Sequence, residues 1–185
     1  VFMLMVNDKI RVILCTVHVS LRTALDILNE NLVYQTIQAA KIACLNLGLQ
    51  NPRIGVAGLN PHAGENGIMG EEETLFIKPA IERAILDGID VSGPWSPDTV
   101  FLMGREGHFD IIVAQYHDQG LIPIKYLGLD QGVNITVGLP FIRTSPDHGT
   151  AFDIAGKGLA NPNSFMNAFI FAVNMIKLSK KNNIL

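Results

Sequence analysis

The chain has 185 residues, 48% of them hydrophobic and 17% charged, and a formal net charge of −3. That composition supports one globular unit with a sizeable core and excludes a disordered chain. Its basic residues are scattered, so it lacks the electrostatic footprint of a nucleic-acid binder, and its longest apolar runs fall far short of the ~18 residues that cross a bilayer.

Residues 1–6, Val-Phe-Met-Leu-Met-Val, are an apolar run predicted as a strand. The run follows no initiator methionine and has neither the basic start nor the small-residue finish of a signal peptide. It therefore reads as a strand of a longer polypeptide whose amino-terminal portion is missing. A second strand is predicted over 10–17. Cys15 and Cys44 form no Cys-x-x-Cys pair, which points to buried thiols in a reducing, cytoplasmic compartment. Val33, Ile37, Ala40, Cys44 and Leu47 repeat at four-three-four-three spacing, which predicts a helix closed by Gly48.

A third strand is expected over 53–59. Gly64, Gly67 and Gly70 then resemble a phosphate loop, but Glu71, Glu72 and Glu73 follow. Three acids at a helix start suit the helix dipole and repel a phosphate, so no cradle is assigned there. A helix over 71–87 should end at Gly88, with Pro79 opening a new first turn or kinking it. Strands are predicted over 111–116 and 132–139. The last helix spans 163–180, with Phe165, Phe169, Ala172 and Ile176 on one stripe and lysines at its end. Strands alternating with helices imply a layered α/β/α fold with a mostly parallel sheet, and no repeat or linker divides residues 1–185.

Ligands of open α/β sheets bind beyond the carboxyl ends of the strands. Three of the five histidines sit there: His18 after 10–17, His62 after 53–59 through Asn60-Pro61, and His117 directly after 111–116. Imidazole is the commonest neutral metal ligand, and three imidazoles leave an open position on an ion. None has short ligand spacing, so taken singly each also reads as a loop histidine. His108 precedes a strand at the opposite edge and is expected to be solvated. Asp118 and Asp98 are candidates to orient a ligand or accept a proton, Asp98 being equally suited to a helix N-cap. Lys125, Asn134 and Arg143, from three successive elements, offer donors for a carboxylate or phosphate. No Gly-x-Gly-x-x-Gly or Walker sequence supplies a dinucleotide site.

The stretches Thr16-Val17-His18-Val19-Ser20-Leu21-Arg22, Gly58-Leu59-Asn60-Pro61-His62-Ala63-Gly64-Glu65, Gln115-Tyr116-His117-Asp118-Gln119-Gly120-Leu121, Gly132-Val133-Asn134-Ile135-Thr136 and Gly138-Leu139-Pro140-Phe141-Ile142-Arg143-Thr144-Ser145 resemble the 4-hydroxythreonine-4-phosphate dehydrogenase family. They follow the family's order over nearly the whole chain, as its carboxy-terminal portion. The resemblance implies an isopropylmalate-dehydrogenase-like fold. It further implies that His18, His62 and His117 are ligands of a divalent metal (Zn, Co, Ni, Mn or Mg), that Lys125, Asn134 and Arg143 bind substrate, and that Asp98 and Asp118 stand near the metal as catalytic acids or bases. The segment from His148 to Lys157, with Asn161-Pro162 after it, is similar to the NAD-contacting loop of isopropylmalate and isocitrate dehydrogenases. On that likeness His148, Gly149, Thr150, Asp153 and Asn161 are candidate contacts to NAD or NADP.

The implied reaction oxidises and decarboxylates a small phosphorylated hydroxy acid, 4-phosphohydroxy-L-threonine, in pyridoxal phosphate synthesis. The implied assembly is a homodimer whose active site is shared between subunits, with neither nucleic acid nor membrane as partner. Two alternatives stand beside it: a dehydrogenase of four-carbon sugar acids such as 4-phosphoerythronate, and a noncatalytic metal-binding or dimerisation module. Three imidazoles converging on one cation at the rim of a sheet are the central expectation.

Overall fold

The computed structural model describes residues 1–128 and 132–182, with side chains through residue 179; the final lysines expected on the last helix lie outside those described side chains. The strands are β1 (Phe2–Val6), β2 (Arg11–Leu14), β3 (Ile54–Ala57), β4 (Val91–Trp95), β5 (Ile111–Ala114), β6 (Val133–Val137) and β7 (Arg143–Pro146). The helices are α1 (Leu21–Ile27), α2 (Glu30–Asn46), α3 (Lys78–Leu86), α4 (Val100–Arg105), α5 (His117–Leu127) and α6 (Asn163–Asn182).

One seven-stranded sheet has the order β4-β3-β5-β2-β1-β6-β7. β4, β3, β5 and β2 are mutually parallel, whereas β1 runs antiparallel to both β2 and β6, and β7 antiparallel to β6. Five strands thus point one way and only β1 and β7 oppose them, which is the mostly parallel α/β sheet the pattern predicts. The hairpin between β1 and β2 is tied by Asn7, whose buried side-chain oxygen accepts the N–H groups of Lys9 and Ile10, both at 2.9 Å.

Each strand alternates its side chains between two faces. Leu4, Val6, Ile13, Ile54, Val56, Ile111, Val113, Val133, Ile135 and Val137 point to the face covered by α2, α3 and α6. Met5, Val12, Leu14, Ala57, Ile112 and Ala114 point to the face covered by α4 and α5. Helix α5 lies unusually close to the sheet because Gly120 faces it. A Cβ there would come within 2.5 Å of Leu14 Cδ2, 2.8 Å of Val12 Cγ1 and 3.1 Å of Ala114 Cβ.

The predicted α2 and its Gly48 terminator are present, with Asn29 capping the first turn through Leu32 N–H. The helix expected over 71–87 is instead two pieces, a single π turn at Glu73–Ile77 and then α3, with Pro79 in the first turn of α3. Strand β4 carries Gly93-Pro94 and is an edge strand, where a missing proline N–H breaks no ladder bond.

Candidate functional site at the carboxyl edge of the sheet

Because β2, β3, β4 and β5 are parallel, their carboxyl ends open on one edge and deliver His18, His62, Asp98 and His117 there. His117 is the first residue of α5, held at the turn from β5. Its Nδ1 donates to Asp118 Oδ1 at 2.7 Å, which leaves Nε2 with its lone pair directed away from that bond. The His18 ring stands beside it, the centroids 5.5 Å apart and the planes inclined by 46°. Two imidazoles on one tetrahedral ion, with metal–nitrogen distances of ~2.0 Å, have ring centroids on the order of 5 Å apart. The centroid spacing of the His18–His117 pair is compatible with a shared divalent ion.

His62 does not complete that pair within the chain. Among the described residues, no three histidine, cysteine, aspartate or glutamate side chains gather closely enough to hold one ion. Within one chain the structure brings His18 and His117 together and leaves His62 on a separate loop after β3. Its ring lines a cleft of ≈ 670 Å³ together with Asp98, Tyr116, Asp118 and Gln119. A smaller cleft of ≈ 210 Å³ contains His18, His117 and Asp118, and a third groove runs along α5 past His117, Asp118, Leu121, Ile122 and Lys125. Asp118 is common to all three and lies at the junction.

Asp98 is not the N-cap of α4, a position taken by Thr99; its carboxylate accepts the Ser96 hydroxyl at 2.6 Å and faces the larger cleft. Asn134, Thr136, Arg143 and Asp147 share the α5 side of the β6–β7 ribbon, by strand alternation and cross-strand register. Arg143 donates to Thr136 Oγ1 at 2.7 Å, and Asn134 Oδ1 is buried without a hydrogen-bond partner among the described residues. Lys125, near the end of α5, pairs with Asp147 at 3.3 Å, the second oxygen of that carboxylate being buried and without a partner among the described residues. Lys125, Asn134 and Arg143 are thus gathered along one ribbon face, with Lys125 about 12 Å along the helix from His117 at 1.5 Å per residue.

The candidate dinucleotide segment lies elsewhere. β7 ends at Pro146, opposite Val133 at the start of β6, so the chain leaves the sheet there at the edge away from His18 and His117. His148, Gly149, Thr150, Asp153 and Asn161 are all exposed. His148 Nδ1 contacts Gly149 O at 3.0 Å, and the Asn161 side-chain oxygen accepts Asn163 N–H at the start of α6. The structure therefore does not bring this segment to the histidines within one chain. His108 is exposed, as expected.

Several residues that organise the edge were not singled out from the sequence. Gln115, 1% exposed, donates through Nε2 to Ala57 O, while Gln119 accepts Gln115 N–H and donates to Gly58 O. Thr16 Oγ1 donates to Gln115 O. The ends of β2, β3 and β5 are thereby stitched together. Glu73, expected to serve a helix dipole, is 1% exposed and instead accepts the N–H groups of Leu59 and Asn60, both at 2.7 Å. The intervening loop holds His62, Ala63, Gly64, Glu65 and Asn66 in succession at positive φ. Left-handed backbone costs a non-glycine residue roughly 1–2 kcal/mol, so four such residues require a strong local constraint. Gln115 and Gln119 lie inside the stretch quoted around His117, where no role is read for them, and Glu73 reads only as an acid at a helix start.

The fold and the edge together define an α/β chain with an imidazole and carboxylate site at the carboxyl ends of parallel strands. Residues 1–172 match the family described as pyridoxal phosphate biosynthetic protein PdxA, and the chain belongs to that family. It is 55% identical to the 4-hydroxythreonine-4-phosphate dehydrogenase of Beijerinckia indica over 175 residues, which are 95% of this chain and 52% of that protein. It is 51% identical to the D-threonate 4-phosphate dehydrogenase of Pectobacterium atrosepticum, over 94% of this chain and 53% of the relative. The chain thus spans about half the length of these curated relatives.

Among solved structures, the 4-hydroxythreonine-4-phosphate dehydrogenase of Klebsiella pneumoniae superposes with a TM-score of 0.87 at 48% identity, over 94% of this chain and 53% of that one. A terephthalate 1,2-cis-dihydrodiol dehydrogenase from Burkholderia xenovorans, 32% identical, gives 0.77 over 94% of this chain and 55% of that one. No helix among the described residues is long and apolar enough to cross a membrane.

Proposed function

We propose that this chain forms the metal- and substrate-binding part of an NAD- or NADP-dependent dehydrogenase that oxidises and decarboxylates 4-phosphohydroxy-L-threonine in pyridoxal phosphate synthesis. The observation that carries the reading is the His18–His117 pair, tilted at a spacing that suits one ion, with Asp118 fixing the tautomer of His117. When bound, a divalent ion supplies Lewis acidity to the alcohol oxygen, and the nicotinamide supplies the hydride acceptor. His18 and His117 hold the ion, with His62 of a second copy as the third ligand in a cytoplasmic homodimer. Lys125 and Arg143 attract the anionic ends of the substrate, Asn134 offers its unpartnered amide oxygen to a hydroxyl, and Asp118 or Asp98 receives the alcohol proton. His148, Gly149, Thr150, Asp153 and Asn161 form the exposed segment assigned to the dinucleotide.

The names carried by the relatives favour a second reading with the same residues, oxidation of D-threonate 4-phosphate or a similar four-carbon acid phosphate. Turnover of 4-phosphohydroxy-L-threonine, D-threonate 4-phosphate and 4-phosphoerythronate, followed as NAD or NADP reduction by the intact gene product, separates the two. Full activity of His117→Ala after dialysis against a chelator would overturn both. Zinc binding with no reduction of either dinucleotide would favour a noncatalytic module.

A further inference from the structure

We infer that Glu73 is a positioning residue for His62, and that its buried carboxylate, rather than the loop sequence alone, holds the imidazole where a metal ligand must stand. The inference rests on the assignment of His62 as a ligand.

His62 sits in the first turn of a left-handed stretch, with φ of +52°, and the four residues after it also have positive φ. The stretch has short-range backbone bonds of its own, such as Ala63 N–H to Asn60 O at 3.1 Å, but a left-handed backbone is costly for its non-glycine residues, so contacts from outside help to hold its shape. Glu73 supplies the contact. Oε1 accepts both Leu59 N–H and Asn60 N–H at 2.7 Å, fixing the chain as it leaves β3, and Oε2 accepts Asn60 Nδ2 at 3.0 Å. The same amide nitrogen donates to Glu72 at 2.7 Å. The loop closes over the carboxylate with no room to spare: a Cβ on Gly64 would lie 2.6 Å from Glu73 Oε2, and one on Gly58 would lie 2.9 Å from Ala63. Glu73 is 1% exposed and, among the described residues, its bonds come from backbone and amide N–H groups aimed at one carboxylate. Carboxyl oxygens are buried in such a place at little cost only if donors are fixed around them, and the chain those donors fix leads, two positions after Asn60, to His62.

The test uses the intact gene product and three variants, Glu73→Gln, Glu73→Ala and His62→Ala. Glutamine keeps one acceptor for the two backbone N–H groups but presents a donor to Asn60 Nδ2, whereas alanine removes both. Readouts are zinc affinity by competition with a chromophoric chelator, the visible spectrum of the cobalt-substituted protein, and hydrogen exchange at the amides of Leu59 and Asn60. Expected is a graded loss: zinc affinity falls severalfold in Glu73→Gln and more than tenfold in Glu73→Ala, with a cobalt spectrum that approaches that of His62→Ala. Amide exchange at Leu59 and Asn60 should rise in the same order. In a Glu73→Gln/His62→Ala double variant the losses should not add. Unchanged zinc affinity and spectrum in Glu73→Gln and Glu73→Ala, with a clear loss in His62→Ala, would overturn the positioning role alone. Unchanged affinity in His62→Ala would overturn the ligand assignment and this inference with it.

Discussion

The closeness of α5 to the sheet can be tested at Gly120. Replacing it with alanine sets two effects against each other. Alanine favours a helix interior over glycine by about 1 kcal/mol. Against this, the new methyl group would fall 2.5 Å from Leu14 Cδ2, 2.8 Å from Val12 Cγ1 and 3.1 Å from Ala114 Cβ. Leu14 can turn its terminal methyl aside, but Val12 is β-branched and the Ala114 Cβ is fixed to its strand, so the helix itself must retreat. Overpacking of this kind costs about 1–3 kcal/mol. The steric effect wins, and Gly120→Ala should be destabilised by about 1 kcal/mol, which moves a urea midpoint down by roughly 0.5 M. Retreat of α5 also carries His117 away from His18, so zinc affinity should drop severalfold. Equilibrium urea unfolding followed by circular dichroism, paired with the zinc competition assay, measures both. A Gly120→Ala protein at least as stable as its parent would show that helix propensity dominates and that α5 is not pressed onto β2 and β5.

Burial pushes the Cys15 and Cys44 thiols up to about 12, against the opposing effects of the Thr36 hydroxyl at Cys15 and the Arg11 charge at Cys44. Neither should be alkylated by iodoacetamide in the native protein at pH 8, and both should react once it is unfolded, as peptide mass spectrometry would report. Lys125→Met leaves Asp147 buried without its cation and should cost about 1–3 kcal/mol in urea unfolding, most of it recovered in a Lys125→Met/Asp147→Asn double variant. Desolvation raises the Asp110 carboxyl, but bonds from the Arg53 side chain and backbone, with the charges of Arg53 and Arg11, outweigh it and hold the group below the ordinary carboxylate value. A depressed folded value stabilises above the unfolded value, near pH 4, and that contribution fades as pH falls through the folded one. The melting-temperature gap between the parent and Asp110→Asn should therefore be constant above about pH 5 and close below pH 4.

Periodicity was a sound guide wherever a segment's surroundings were regular. The four-three spacing from Val33 to Leu47 foretold α2, because one face of that helix is buried against the sheet. The apolar runs ending before His18, His62 and His117 foretold three parallel strands and so the shared edge. Helix α5 was not assigned from the sequence; it contains Gly120, which lets it approach the sheet, and Pro123. β4 was hidden by Gly93-Pro94, tolerated only because the strand is an edge. The site was legible as a set of residues but not as an arrangement. Nothing along the chain indicates that His18 and His117 are neighbours while His62 lies on a separately clamped loop, since side-chain distances across strands have no counterpart in local spacing. Glu73 was misread because a third acid at a helix start has an ordinary explanation, and its burial follows from a loop conformation that no period describes.

The interior position of β1 in the sheet has a kinetic consequence. Its five residues, all large and apolar, are paired on one side by a neighbour a few residues away and on the other by β6, from which most of the chain separates them. The hairpin with β2 can close early, while the opposite flank of Phe-Met-Leu-Met-Val lacks its β6 partner until Val133–Val137 has emerged. Such an uncovered border invites pairing with a neighbouring nascent chain. Folding yield, rather than final stability, is therefore the property most exposed to crowding at the ribosome and to the supply of chaperones that shield it.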